Sequence, residues 1–322
     1  MTVLSFLPAP LKGLIASSLM LLNTLIWVPL LLLAALLKLL LPVRSVRLWI
    51  DPILLRIAQL WIAGNSFWMR LTQRLDWDVQ GLEQLSAQQW YLVVCNHRSW
   101  VDILVLQHLL NRRIALLKFF LKQQLIWVPL MGLAWWALDF PFMRRHSASY
   151  LQNHPQARGQ DAATARTACA KFALVPTSVM NFVEGTRFTQ RKHRDQASPY
   201  RHLLKPKAGG VSMALQAMGE KFGAVLDITL CYPQGTPSFL DFLQGRVDQV
   251  VARVHLRSVP RVNISDGQDP TQAWRALCEA WVNELWLAKD EEIHVLLQQR
   301  PNSLHPSNDQ RNPERPSKMA KG

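Results

Sequence analysis

Cysteine is scarce in this chain. Cys95, Cys169, Cys231 and Cys278 are the only four in 322 residues, and none stands at a metal-ligand spacing from another. Each lies in an apolar stretch, which argues for buried, reduced thiols facing a reducing compartment. Acidic residues are also short, 22 against 36 Lys and Arg, leaving a net charge of +14 and a pI of 10.1. That balance suits a protein held on an anionic surface, either phospholipid headgroups or nucleic acid. No internal repeat is present, and no Gly-x-Ser-x-Gly elbow offers a serine nucleophile. Apolar side chains are plentiful: 49% of the residues are hydrophobic and 13 are Trp, in a chain long enough to bury a full core.

The first fifty residues decide between lipid and nucleic acid. From Leu14 to Leu41 the chain is almost wholly apolar, with Lys38 as its one charge. A crossing helix needs about 20 such residues, so the run reads as a membrane anchor, and it is too long for a cleaved signal. Pro29 sits inside it and leaves a kinked span or a re-entrant hairpin open, the single crossing being the better match to its length. Lys12 precedes the run whereas Lys38, Arg44, Arg47 and Arg56 follow it. The positive-inside rule then puts the bulk of the chain on the cytoplasmic face, which for a bacterial protein is that of the inner membrane. Between Val46 and Leu71, Trp49, Trp61 and Trp68 alternate with Arg47, Arg56 and Arg70. This predicts interfacial helices, with a core helix bearing exposed arginines as the alternative.

Beyond residue 74 short apolar runs alternate with helical patterns. Strands are expected at Tyr91–Cys95, Ile114–Phe119, Leu138–Met143, Ser178–Val183, Ala224–Tyr232 and Val247–Leu256. Helices are expected at Trp100–Leu110, Gln123–Ala137, Gln160–Phe172, Val211–Met218 and Pro270 to about Gln298. The pattern predicts an α/β fold with a mixed, largely parallel sheet flanked by helices. The expected organisation is an anchor with interfacial helices over 1–74, an α/β domain over 75–298 and a disordered tail over 299–322.

Two motifs carry chemistry. Behind the first strand stands Asn96-His97-Arg98-Ser99-Trp100-Val101-Asp102, where a histidine can take a proton from a hydroxyl and the aspartate can fix its tautomer. The same residues also fit a helix start, with Ser99 as cap and Asp102 three positions on. Some eighty residues later comes Phe182-Val183-Glu184-Gly185-Thr186-Arg187, which could equally be a turn with a surface Glu184–Arg187 ion pair. Each motif alone is weak, but their order behind an anchor is informative.

Together they resemble the glycerophospholipid acyltransferases of the 1-acylglycerol-3-phosphate acyltransferase type, over about residues 75 to 260. That family carries Asn-His-x4-Asp and Phe-Pro-Glu-Gly-Thr-Arg blocks, and here Val183 replaces the proline. Its Gly-x-x-Phe-Ile-Asp-Arg block corresponds to Asp139–Arg145, matching at Phe142 and Arg145, with Asp139 for the glycine and Arg144 for the acid. A last block would fall at Ala224–Thr229, without its prolines. The resemblance implies that His97 deprotonates the free hydroxyl of a lysophospholipid and that Asp102 orients His97. The oxygen then attacks the thioester of acyl-CoA or acyl-carrier protein directly. Arg145 and Arg187 would hold the acceptor's phosphate, with Glu184, Gly185 and Thr186 shaping its pocket. Cys95 is a conceivable nucleophile, but alternation along the strand points it away from His97.

Arg191, Lys192, Arg194, Arg201, Lys205 and Lys207 follow closely, either as a solvated basic loop or as an attractant for anionic lipid and donor phosphates. Lys207 and Gly210, just before a helix, are candidates for anion contact. The Trp-rich segment Trp127–Trp136 fits core packing better than an acyl-chain tunnel. No metal or cofactor is expected beyond the acyl donor as co-substrate. The expected partners are a lysophospholipid, with 1-acyl-glycerol-3-phosphate as the acceptor the resemblance implies first, the acyl donor and an anionic membrane, with no nucleic acid. The alternatives are an acceptor with a larger headgroup, a non-catalytic scaffold on the same fold, and a membrane-anchored nucleic-acid binder favoured by charge alone.

Overall fold

A computed structural model of the chain describes residues 4, 6–41, 43–143, 172, 175–261 and 270–299. The expected Gln160–Phe172 helix (apart from Phe172), Arg144, Arg145, Cys169 and the tail from 300 onward lie outside the described residues.

Six strands form the main sheet: β1 (Asp76–Gln80), β2 (Trp90–Cys95), β3 (Leu117–Phe119), β6 (Ser178–Phe182), β7 (Phe222–Cys231) and β8 (Gln249–Arg257). Their spatial order is β1-β8-β7-β2-β6-β3. β7, β2, β6 and β3 run parallel, β8 is antiparallel to β7, and β1 is parallel to β8. The fold is thus the mixed, mostly parallel α/β arrangement that the alternating pattern predicts. β2 shows why its sequence is apolar throughout: Tyr91, Val93 and Cys95 enter one core and Leu92 and Val94 the other. A strand covered on both faces has no position left for polar residues.

The first core is closed by α3 (Val101–Leu110) and α7 (Phe239–Leu243), the second by α6 (Gly209–Met218) and α8 (Pro270–Gln298), and the short α5 (Gln190–Asp195) follows the second motif. α8 is fastened by a buried ion pair, Lys289 Nζ to Asp227 Oδ1 of β7 at 2.7 Å. The same ammonium donates to the Ile228 carbonyl and to Thr229 Oγ1.

Several expectations are corrected. Gln123–Ala137 is not one helix but a 3-10 turn over Gln123–Trp127 and a short α4 (Met131–Ala137). Pro129 has no amide hydrogen to continue the first, and Leu130 adopts φ 62°, a left-handed conformation that ends it. The expected Leu138–Met143 strand shrinks to β5 (Phe142–Met143), because Asp139 turns at φ 58°, and among the described residues β5 pairs only with β4 (Leu121–Lys122). The strand expected over Ile114–Phe119 keeps only its last three residues. β1 escaped the pattern because Asp76, Asp78 and Gln80 make it polar, as an edge strand tolerates. A bidentate Arg253–Asp78 pair holds it to β8.

The N-terminal region is a pair of long helices, α1 (Ala9–Leu40) and α2 (Arg44–Thr72), where interfacial helices were expected after a single crossing. They run antiparallel: Asn23 Nδ2 donates to the Trp61 carbonyl at 2.8 Å and to Asn65 Oδ1 at 3.0 Å. Gly64 permits the crossing, since a Cβ there would lie 2.1 Å from Asn23 Oδ1. Trp68 of α2 is buried edge-on against Phe242 of α7, so the pair shares the first core. Both ends of α1 touch the α/β unit. Gly13 packs on Gln244, and Lys38 Nζ lies 2.6 Å from Asp51 and 3.6 Å from Asp139 in the turn after α4. α1 is the one described helix long and apolar enough to cross a membrane, and 17% of its most apolar window is buried.

Without Lys289 the buried Asp227 carboxylate would keep only the longer 3.4 Å contact with the part-exposed Arg257. Lys289→Met is therefore expected to destabilise the fold by about 3–5 kcal/mol in chemical unfolding. The double change with Asp227→Asn should recover much of that loss.

Candidate functional site

The site lies where β2 and β6 end side by side. Cys95 pairs with Phe182 in register, and the Val183 amide donates to the Cys95 carbonyl, so the two motif loops leave the sheet together. Asn96 anchors the first: its Nδ2 donates to the Leu230 carbonyl and its Oδ1 accepts the Leu230 amide, both at 2.8 Å. The direction of the loop behind it is thereby set by β7.

Asp102 is completely buried in the first turn of α3. Its Oδ2 accepts His97 Nδ1 at 2.9 Å and the amides of Arg98 and Ser99 at 2.6 and 2.9 Å. Tyr232 donates its hydroxyl to Oδ1 at 2.7 Å. With Nδ1 committed to a carboxylate, the imidazole presents Nε2 as its basic nitrogen. No described residue bonds Nε2, and 12% of the His97 side chain remains accessible. The ring lies parallel to Phe182, with centroids 3.9 Å apart and 13° between planes, which holds its orientation from the other side.

The helix-start reading of the motif survives in altered form. Asp102 reaches back to the Ser99 amide, but Ser99 Oγ accepts the Val101 amide and donates to the Pro237 carbonyl, linking the loop to the segment after β7. One carboxylate thus opens the helix and holds the histidine.

Glu184 is also completely buried, and it makes no ion pair with Arg187. Its Oε1 accepts the His97 amide at 2.8 Å and its Oε2 the Leu204 amide at 3.1 Å. Burial lifts this carboxyl to about 7, against the downward pull of those two amides. Gly185 turns at φ 67°, a conformation that excludes most side chains, and the turn closes by its amide bonding to the Phe182 carbonyl. Thr186 Oγ1 accepts Lys192 Nζ at 2.7 Å. The Arg187 guanidinium carbon lies 4.3 Å above the half-exposed ring of Trp100. The Lys207 amide bonds to the Val183 carbonyl, and its ammonium passes beside Gly185.

The fold therefore brings His97, Asp102, Glu184, Gly185, Thr186, Arg187 and Lys207 together. Gly210 sits at the start of α6, where a Cβ would lie 2.3 Å from Asn181 Nδ2, so this glycine lets α6 pack on β6. Arg145 lies outside the described residues. Cys95 is buried, and burial pushes its thiol well above the ordinary range, so it stays protonated and unreactive. Tyr232 and Phe182 were missed as partners of the histidine. Tyr232 stands 130 positions from Asp102, with no signal in the sequence that relates them; Phe182 was read as a strand residue inside its motif.

A family model described as Acyltransferase matches residues 76–233. The chain is 27% identical over 213 residues to 1-acyl-sn-glycerol-3-phosphate acyltransferase delta of Homo sapiens, covering 62% of this chain and 51% of that protein. It is 25% identical over 250 residues to the gamma enzyme of Mus musculus, covering 70% and 60%. Residues 76–233 thus form an acyltransferase-family domain, similar to those of glycerophospholipid acyltransferases. The chain spans about half the length of the first of these relatives. Among solved structures, the 1-acyl-sn-glycerophosphate acyltransferase of Thermotoga maritima shares its fold, with a TM-score of 0.54 at 17% identity over 92% of this chain and 100% of that one. The two blocks that the family resemblance rests on, NHRSWVD and FVEGTR, are the two loops that meet at the ends of β2 and β6.

Glu184 predicts a pH signature. Its folded value near 7 exceeds the ordinary 4.5, so between these pH values the folded chain holds a proton that the unfolded chain has lost. Its contribution to stability is full below pH 4.5 and declines as pH rises to about 7, by about 3 kcal/mol at most. Glu184→Gln should remove that slope in thermal unfolding measured across the window. It should also lower activity, because a glutamine amide turns an NH2 group toward one of two backbone donors that both need an acceptor.

Proposed function

We propose that this chain is a membrane-bound acyltransferase that moves an acyl group from acyl-CoA or acyl-carrier protein to the free hydroxyl of a lysophospholipid, 1-acyl-glycerol-3-phosphate foremost. The observation that carries this reading is the 2.9 Å contact of His97 Nδ1 with a fully buried Asp102, with Nε2 left unbonded by any described residue. In this mechanism Nε2 removes the acceptor hydroxyl's proton as its oxygen attacks the thioester carbonyl. Asp102 stabilises the imidazolium that forms, and the imidazolium returns the proton to the departing thiolate. Arg187 holds the acceptor's phosphate, for which a guanidinium fork is well shaped.

An apolar pocket supports a lipid substrate. It lies between the two N-terminal helices and α4, lined among others by Trp27, Leu31, Trp61, Met131 and Phe140. Parallel rings lead to it from the imidazole: His97 on Phe182, Phe182 on Phe119 at 6.1 Å, Phe119 on Phe140 at 6.5 Å. An acyl chain laid along these rings would place its thioester at the histidine.

The membrane reading takes a specific form. Gly13 and Lys38 are about 38 Å apart along α1, more than the thickness of a hydrocarbon core. Both touch the α/β unit, so a crossing helix would pull that unit through the bilayer. We therefore read α1 and α2 as a re-entrant hairpin in one leaflet, with exposed Leu21, Leu22, Leu25, Leu33, Leu36 and Trp49 in the acyl and headgroup layers. Cytoplasmic thioester donors place that leaflet on the cytoplasmic side.

Purified in detergent, the protein should acylate lysophosphatidic acid within a panel of lysophospholipids, and His97→Ala should lower the rate by about two to four powers of ten. Preference for a larger headgroup would move the acceptor to that lipid. Unchanged activity in His97→Ala would remove the mechanism. Single cysteines placed at Thr2 and at Val43 should both be labelled from the cytoplasmic side of sealed vesicles. Labelling from opposite sides would restore a single span.

A further inference from the structure

Two guanidinium groups cross between the motif loops. Arg98, next to the histidine, places its guanidinium carbon 4.5 Å from the ring centroid of Phe188, and Arg187 lies 4.3 Å over Trp100. Each block thus lends a cation to an aromatic ring of the other. The Phe188 amide donates to the His97 carbonyl at 2.8 Å, which ties the crossing to the histidine itself. Stacking occupies the flat face of a guanidinium and leaves its in-plane N–H groups free.

Neither guanidinium is in an ion pair with a described residue, and both are half-buried. The two carboxylates of the motifs are already committed: Asp102 accepts four donors, and Glu184 two backbone amides. A third cation, Lys192 of the following helix Gln190–Asp195, reaches back to that turn, its ammonium held by the neutral oxygens of Thr186 and Arg187. Glu184 acts on Arg98 only through space, and three cations that form no ion pair with a described residue favour an arriving anion. Two forks carried by adjoining loops suit a dianionic group that offers several oxygens, and they disfavour a headgroup ending in a quaternary amine.

We propose that Arg98 is a second phosphate ligand of this site, acting with Arg187 as a two-guanidinium clamp for a phosphomonoester, with Trp100 and Phe188 as positioning residues. The proposal rests on the acyltransferase reading for its substrates. The phosphomonoester belongs either to the acceptor, as in lysophosphatidic acid, or to the acyl donor, as in the nucleotide part of coenzyme A.

The test uses the full chain in detergent with Arg98→Gln and Arg98→Lys, each substrate being varied separately. For Arg98→Gln we expect KM for the phosphomonoester substrate to rise about ten- to a hundredfold, as for loss of a charge-assisted hydrogen bond, with kcat within about threefold. Arg98→Lys, which keeps the charge without the fork, should fall between. A rise confined to lysophosphatidic acid, with lysophosphatidylcholine unaffected, assigns the clamp to the acceptor. A rise confined to acyl-CoA, and absent with acyl-carrier protein, assigns it to the donor. Binding of lysophosphatidic acid, and separately of coenzyme A, without a reaction partner gives a readout independent of turnover. Arg98-dependent binding in a chain that transfers no acyl group would sink the acyltransferase reading and keep the clamp. Unchanged KM for both substrates together with unchanged binding, or a loss confined to kcat, would overturn the clamp.

Discussion

A single buried carboxylate organises this site. Among the described residues no Lys or Arg side chain pairs with Asp102; it is held by four hydrogen bonds from the loop before its helix, the histidine and Tyr232 of a distant segment. A carboxylate removed from water needs such donors, because an unsatisfied one costs several kcal/mol. Satisfying it forces the His97 loop, the start of α3 and the end of β7 into one arrangement. The position of the imidazole is therefore a property of the fold as a whole.

Glu184 performs the matching task for the second loop. Its two oxygens hold the amides of His97 and Leu204, so one side chain joins the histidine loop, the FVEGTR turn and the basic segment behind it. Both acids face inward and form no ion pair with Arg98, Arg187 or Lys192, so part of the chain's excess positive charge stands at the two motif loops. The α1–α2 pair adds exposed apolar residues such as Leu21, Leu25 and Leu33.

Much of this was legible in advance. The alternation of apolar runs and helical patterns revealed the mostly parallel sheet, because strands buried on both faces admit only apolar residues. The histidine and aspartate were recognisable because their spacing spans one loop and one helical turn, a purely local relation. Boundaries failed where a backbone sign change intervened, at Leu130 and Asp139, since positive φ at a non-glycine residue leaves no mark in composition. The packing of Gly210 on Asn181 was not legible for a related reason: a glycine before a helix looks the same whatever approaches it.

The sequence by itself determined the layers of the fold, the apolar N-terminal run and the two loops that carry the chemistry, because each is encoded in residues close together along the chain. Only the tertiary structure decided that Tyr232 completes the aspartate's shell, that Glu184 turns inward to hold two amides, and that Arg98 and Arg187 exchange aromatic partners across the loops. It also decided that α1 returns along the α/β unit at both ends. Contacts of this kind join residues tens to more than a hundred positions apart, and no local preference specifies which distant group a buried polar atom will find.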